Sequence, residues 1–263
     1  RVSHGRHIRA AGLDFIEGDV LIKAGRALDA GAISLAAAAN CPELKVVRRP
    51  LVAVLATGDE LLEPGSTPGP DQIIASNGYG VAAICAEAGA DVLDLGIVPD
   101  DRAQMAAAVG RAEAAGAHVI VTLGGASVGD HDLVQEVLTG LGMQLEFWKI
   151  AMRPGKPLMV GRLGAMHVLG LPGNPVSSLV CAHLFLKPLL ARLGGRTWQP
   201  DLRDAILGSD MRENDQRRDY VRAAAFPGSE GLVATPFQIQ DSSMLKTLAA
   251  ANCLIVREPF APA

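Results

Sequence analysis

A glycine-rich loop, residues 123–132, holds the residues best placed for chemistry on an anionic ligand. The preceding residues, 117–123, have the β-branched content of a short buried strand, and apolar residues at helical spacing come directly after the loop. Gly124, Gly125 and Gly129 would let the backbone turn tightly and expose its N–H groups at a helix start. The loop is therefore predicted to bind phosphate or another oxyanion, with a tight turn as the alternative.

Carboxylates stand at two of the predicted strand ends. Asp130 and Asp132 close the glycine-rich loop, and Asp59 and Glu60 follow a second buried run, residues 51–57. Asp130 is suited to cap the helix, which would leave Asp132 free for a divalent cation. Because ligands of open parallel sheets bind beyond the carboxyl ends of the strands, we expect Glu60 and Asp132 to face one cleft.

A third loop, residues 170–178, also links a predicted strand to a predicted helix. Asn174 is suited to the N-cap and Pro175 to the first helical position. These two roles explain the loop without any ligand. Ser177 and Ser178 could instead hold an oxyanion at the start of the helix.

A local basic cluster occupies residues 149–157 of an otherwise acidic chain. Lys149, Arg153 and Lys156 lie beside prolines that fix the direction of the backbone. We expect the cluster to point at an anion; a solvated surface cluster is the alternative.

Alternating strand and helix patterns surround these loops and would position them. A mostly parallel sheet with helices on both faces is the expected result. The predicted strands are 51–57, 91–98, 117–123 and 143–150 with a hairpin of 158–161 and 166–169, and the predicted helices are 77–88, 100 or 101 to 115, 130–138 and 175–193.

The two ends of the chain differ from this pattern. Residues 1–45 are predicted to be a linker segment with a strand at 19–24 and a helix capped by Asp29, because they are too few to bury a core. Since the chain begins with Arg1, an upstream part is expected. Residues 46–195 form the predicted α/β domain, and residues 196–263 a small domain of short strands.

Composition excludes several classes of protein. A formal net charge of −4 without long single-sign runs argues against nucleic-acid binding, and no membrane span or signal peptide is legible. The four cysteines are widely spaced, so a disulfide framework or structural zinc site is not expected. Cys85 and Cys181 are predicted to be buried in a cytoplasmic protein.

Together, the loops supply acids for a metal, N–H groups for phosphate and cations for a second anion. No arrangement of serine, histidine and acid typical of a covalent nucleophile is legible. The residues therefore indicate metal-assisted phosphoryl or anhydride chemistry that depends on charge stabilisation.

Five motifs, in their order and spacing, resemble the molybdopterin molybdenumtransferase family, which includes MoeA and the E domain of gephyrin. They are ATGDEL, SNGYG, GGASVGDHD, RPGKP and GLPGNPVS, and the resemblance extends from about Gly5 to the C-terminus. It implies a mixed-sheet molybdopterin-binding α/β domain at 46–195 and a small β-barrel-like C-terminal domain. It also implies Mg²⁺-dependent insertion of molybdate into adenylylated molybdopterin, with release of AMP.

The resemblance and the loops described above together assign roles to individual residues. Glu60, Asp132, Lys149 and Lys156 would be catalytic, and the metal would be held by Glu60, Asp130 and Asp132. The implied substrate-binding residues are Thr57, Gly58, Asp59, Ser76, Asn77, Gly124, Gly125, Ser127, Gly129, Arg153, Pro172, Gly173, Asn174, Pro175, Ser177, Arg222 and Ser242.

Two residues depart from the family pattern. Ala75 stands where an acid is usual, which removes one expected contact, and Arg153 replaces a common lysine, which keeps the charge but changes its geometry. The resemblance also implies a homodimer and a contact with the adenylyltransferase that supplies the substrate. The alternatives are a molybdopterin adenylyltransferase, disfavoured by the C-terminal domain, and a non-catalytic molybdopterin-binding scaffold.

Overall fold

The computed structural model describes residues 5–124 and 133–263, and its largest element is a six-stranded sheet. The first four strands in spatial order pair in parallel, and the last two pairings are antiparallel, so the predicted mixed sheet is confirmed. In spatial order the strands are β4 (Asp91–Val98), β1 (Leu51–Thr57), β5 (Val119–Leu123), β9 (Met166–Leu171), β8 (Met159–Leu163) and β6 (Gln144–Trp148).

Helices cover both faces of this sheet because successive strand residues point to opposite sides. Val52 and Val54 of β1 pack against one set of helices, whereas Ala53 and Leu55 pack against the other. On the first face lie α2 (Asn77–Glu87), α5 (Pro175–Cys181) and α6 (Lys187–Leu193); on the second lie α3 (Arg102–Ala114) and α4 (Leu133–Gly140). The prediction of three layers is confirmed.

Predicted helix starts agree closely with the structure where an aspartate caps the helix. Asp29 accepts a hydrogen bond from Ala32 N at 2.7 Å and begins α1 (Ala30–Ala38), and Asp101 accepts one from Gln104 N at 2.8 Å before α3. The strand predicted at 19–24 is wrong: the carboxylate of Asp19 accepts from Ile16 N at 3.0 Å in a turn, and Val20 stays 74% exposed. That apolar run has no neighbouring strand to pair with among the described residues.

One continuous helical segment, Pro175–Leu193, is long and apolar enough to cross a membrane by length and composition alone, contrary to the expectation that none would be. It consists of α5, a π-helical turn at Ala182–Leu186 and α6. Half of it is buried, and Val176, Val180 and Leu190 lie in the core. It is therefore a core helix of the α/β unit.

Two of the cysteines lie in the same core. Cys85 and Cys181 are fully buried, and this burial raises the pKa of each thiol to about 12. All four cysteines are free, as the spacing predicted. Both buried thiols therefore act as small apolar groups.

The C-terminal residues form a second, five-stranded sheet. Its order is β10 (Ile206–Leu207), β12 (Gly231–Pro236), β11 (Arg218–Gly228) and β13 (Cys253–Arg257), and β7 (Met152–Arg153) pairs with β11. A short helix, α7 (Leu245–Ala250), precedes β13. No pairing within residues 133–263 closes this sheet into a ring, so the barrel-like expectation is corrected to an open sheet. The small β2 (Leu61–Leu62) and β3 (Ile73–Ile74) pair separately.

Candidate functional site

Three chain segments meet at the carboxyl edge of the main sheet because β1, β5 and β9 are neighbours there. A Cβ added to Gly173 would lie 3.8 Å from the Cα of Gly124, which itself faces the end of β1. Asn77, at the start of α2, donates a hydrogen bond from Nδ2 to the carbonyl oxygen of Gly173 at 2.7 Å. The structure thus brings together the loops around Thr57, Gly124 and Gly173, as the sequence predicted.

Acidic side chains crowd the end of β1. Asp59 accepts a hydrogen bond from the backbone N–H of Asp100 at 3.0 Å, and Glu60 shares the same groove. Burial, followed by the negative charges of Asp59 and Glu60, raises the pKa of the Asp100 carboxyl. The groove has a volume of about 540 Å³ and is lined by Asp59, Glu60, Gly69, Pro70, Asp71 and Gln72.

No cluster of three metal-ligating side chains occurs within residues 5–124 and 133–263. The predicted Gly125, Ser127, Gly129, Asp130 and Asp132 lie outside the described residues. A cleft shared by Glu60 and Asp132 therefore stays a prediction.

The basic segment holds two lysines without an ion pair among the described residues and one paired arginine. Lys149 is exposed and has a left-handed φ of +71°, and its ammonium lies 4.1 Å from the centre of the Trp148 ring. Ile150 N donates to Lys156 O at 3.0 Å, which brings the two ends of the segment together. Both lysines remain available to an anion.

Arg153 differs from the expectation because its guanidinium is already paired. Its Nη2 lies 2.5 Å from Asp219 and its Nη1 3.5 Å from Asp215, both beyond the boundary drawn at residue 195. The hydrogen bond to Asp219 raises the pKa of Arg153. The side chain therefore joins the α/β unit to the C-terminal sheet.

Asn174 is the N-cap of α5 by position, but its side chain does not cap the helix. Nδ2 of Asn174 instead donates to Oγ of Ser242 at 2.9 Å. Pro175 occupies the first turn as predicted, and Pro172, Ser177 and Ser178 are buried.

Arg222 and Ser242 both belong to the C-terminal sheet unit, and Ser242 contacts this loop. Arg222 is 1% exposed, and this burial lowers the pKa of its guanidinium. Its Nη1 donates to the carbonyl of Asp241 at 3.0 Å. The carbonyl of Ser242 accepts from Val176 N at 3.0 Å. The predicted residues from both units therefore meet at the start of α5.

Two family comparisons match most of the chain. The family described as "Probable molybdopterin binding domain" matches residues 53–192, and the "MoeA C-terminal region (domain IV)" matches residues 204–261. The chain belongs to the MoeA family.

Curated relatives of this MoeA-family chain are named molybdopterin molybdenumtransferase. The chain is 35% identical to the Haemophilus influenzae protein over 96% of its own length and 63% of the relative, and 36% identical to the Nostoc protein over 82% and 51%. A solved structure described as the MoeA protein of molybdopterin biosynthesis, from a Pyrococcus species, matches with a TM-score of 0.78 and 29% identity, covering 92% of the chain and 58% of that protein. The chain thus spans between half and two thirds of these relatives.

Several residues at the site of this MoeA-family chain belong to none of the predicted site residues. The sequence predicts Asp100 only as a possible start of a helix, whereas its backbone N–H bonds to the carboxylate of Asp59. Gln240 and Trp148 belong to no motif, although each contacts a predicted site residue. Ser76 makes no side-chain capping bond, and Ala75 bonds through its backbone N to Leu62 O at 2.8 Å. The Ala75 backbone contact needs no acidic side chain.

Proposed function

We propose that this chain inserts molybdate into adenylylated molybdopterin during molybdenum cofactor biosynthesis, with release of AMP. One observation carries the proposal: loops from three strand ends and segment 240–243 of the C-terminal unit converge at the start of α5. A substrate with a pterin, a phosphate and an incoming oxyanion needs several polar loops at one edge. The names of the curated relatives support the same reaction.

Magnesium suits the acids at the end of β1. The pKa of Asp100 is raised partly by its acidic neighbours, so negative charge there is incompletely balanced. Carboxylate oxygens are the ligands that Mg²⁺ prefers. Glu60, with Asp130 and Asp132 of the glycine-rich loop, would hold the ion, which when bound neutralises phosphate charge.

The remaining groups have separate proposed tasks. The backbone at Gly124, with Gly125, Ser127 and Gly129, would bind the adenylyl phosphate, since glycine permits close approach. Lys149 and Lys156 would attract molybdate and stabilise negative charge as AMP leaves. Thr57, Gly58, Asp59, Ser76, Asn77 and the loop residues Pro172, Gly173, Asn174, Pro175 and Ser177 would shape the substrate cleft, with Arg222 and Ser242 on its far side.

The proposed assembly is a cytoplasmic homodimer that receives its substrate from an adenylyltransferase partner. Ile8, Leu13, Ile16 and Val20 support it, because they are between 60% and 77% exposed. Several strongly exposed apolar side chains within one segment are typical of a surface that another chain covers. The dimer geometry would place this segment against a second copy.

Two other functions are alternatives to this reaction. A molybdopterin adenylyltransferase is disfavoured by the match of residues 204–261 to the MoeA C-terminal region. A non-catalytic scaffold would bind molybdopterin without releasing AMP. Only the assay below separates the scaffold from the enzyme.

The test measures AMP released from bound adenylylated molybdopterin as molybdate is added in the presence of Mg²⁺. Glu60→Gln should reduce the release at least tenfold, since it removes one carboxylate from the metal site. Glu113→Gln, on the helix α3 surface, is the control. The proposal would be contradicted if AMP release did not depend on molybdate, or if the Glu60→Gln chain were as active as the control.

A further inference from the structure

We infer that Gln240 is a positioning residue that holds Arg222 and thereby sets Ser242 at the start of α5. The inference rests on the proposed function, because Ser242 is a proposed residue of the substrate cleft. Gln240 belongs to none of the motifs.

Both ends of the Gln240 amide are used. Oε1 accepts from the backbone N of Arg222 at 3.0 Å and from its Nε at 3.2 Å. Nε2 donates to the carbonyls of Arg222 at 2.9 Å and Phe237 at 2.8 Å. One side chain thus makes four hydrogen bonds, three of them to Arg222, and closes the turn between β12 and segment 240–243.

Arg222 links Gln240 to the backbone of Asp241. Its guanidinium is buried, with Nε committed to Gln240 and Nη1 to the carbonyl of Asp241. A buried guanidinium is costly unless its donors are satisfied, so these bonds define its orientation. All its described side-chain bonds lead to residues 240 and 241, which makes Arg222 an anchor for the segment that precedes Ser242.

Ser242 then bonds once to α5 and once to its N-cap residue. Its carbonyl accepts from Val176 N at 3.0 Å, one of the first-turn N–H groups that lack a partner within a helix. Its Oγ accepts from Nδ2 of Asn174 at 2.9 Å. Because the hydroxyl oxygen is the acceptor there, the hydroxyl proton is not used in this bond and can be donated to an oxyanion.

The decisive variant is Gln240→Ala, with Gln238→Ala as the matched control two residues away on the same exposed turn. Two readouts are taken on the full chain. Hydrogen exchange of the Val176 amide reports whether the carbonyl of Ser242 still reaches α5. The molybdate concentration for half-maximal AMP release reports whether Ser242 still serves the site.

We expect Gln240→Ala to speed Val176 exchange and to raise the molybdate midpoint about threefold to tenfold, the usual effect of losing one or two hydrogen bonds. The maximal rate should change little, and Gln238→Ala should match the parent chain. Gln240→Glu keeps the acceptor for Arg222 and should recover part of the loss. In a Ser242→Ala background, Gln240→Ala should add almost nothing, because both act through one hydroxyl.

Unchanged Val176 exchange in Gln240→Ala would overturn the positioning, whatever the assay of AMP shows. Faster exchange with an unchanged molybdate midpoint would reduce Gln240 to a purely structural residue. An additive double variant would also contradict a path through Ser242. If the parent chain itself releases no AMP with molybdate, the proposed function fails, and Val176 exchange still decides the contact.

Discussion

A Cβ atom added to Gly124 would lie 2.6 Å from the carbonyl oxygen of Thr57. The residue that follows β5 therefore touches the backbone at the end of β1, with no space for a side chain. Gly124 also has a φ of +95°, which other residues rarely adopt. Two separate physical constraints thus require glycine at the start of the glycine-rich loop.

The first prediction separates these constraints. Gly142 has nearly the same φ, +97°, but open space around its Cα, so Gly142→Ala should lose only about 1 to 3 kcal/mol of unfolding free energy to backbone strain. Gly124→Ala should lose about 1 to 3 kcal/mol more, because backbone must shift to admit the methyl group. Urea unfolding of both variants measures the difference. Equal losses would mean that the contact with Thr57 costs nothing.

Local sequence patterns were sufficient to predict the main sheet. They did not predict contacts between residues that are far apart in sequence. The run at 51–57 matches β1 at both ends, because a strand buried on both faces is continuously apolar. The run at 19–24 looks similar in composition but has no strand beside it in the part of the chain that the structure describes. Strand formation depends on a partner, which composition does not reveal.

The same limit applies to the site. Thr57 and Gly124 could be placed together because the carboxyl ends of parallel strands share one edge. Arg153 was expected to be free, whereas its partner Asp219 lies 66 residues away. Asn174 matched the preferred residue type for a helix cap, yet its side chain donates a hydrogen bond to Ser242, 68 residues away. Such polar pairings leave no periodic signal in a single sequence.

The second prediction concerns Lys149, whose left-handed backbone costs a lysine about 1 to 2 kcal/mol. Asparagine tolerates this conformation, so Lys149→Asn should leave the unfolding free energy within about 1 kcal/mol, although the contact with Trp148 is lost. The response to molybdate should fall at least tenfold. Chemical unfolding and the AMP assay are compared with Lys45→Asn, an exposed control. A large loss of stability would show that Lys149 is structural.

The third prediction is a pH dependence at Asp100. Its pKa is raised from an ordinary value of 3.8, mainly by burial and then by Asp59 and Glu60. A raised pKa means that the ionised form is disfavoured in the folded state, so stability is lost as pH rises through the folded pKa. Asp100→Asn should therefore be more stable than the parent chain at pH 7. This advantage should vanish below pH 3.8, and thermal unfolding at both pH values checks it. An equal gain at the two values would contradict a charge effect.

The last prediction concerns Arg153, whose guanidinium contacts Asp219 through Nε at 3.2 Å and Nη2 at 2.5 Å and also reaches Asn214 at 3.3 Å. Lysine keeps the charge but has no planar fork, so Arg153→Lys loses contacts between the α/β unit and the C-terminal sheet. Since Asp219 is only 14% exposed, we expect a loss of about 1 kcal/mol even with solvent screening at the arginine.

The matched control for this pair is Arg203→Lys. Arg203 contacts Asp201 through the same two kinds of nitrogen, at 3.0 and 3.1 Å. These two residues are two positions apart in sequence and fully exposed, so no measurable loss of unfolding free energy is expected. In an Asp219→Asn background, the cost of Arg153→Lys should shrink, because their shared interaction is already removed. Urea unfolding is measured for the parent chain and for the four variants: Arg153→Lys, Arg203→Lys, Asp219→Asn and the double variant. If the cost stays the same without the Asp219 carboxylate, the link between the two units does not depend on this ion pair.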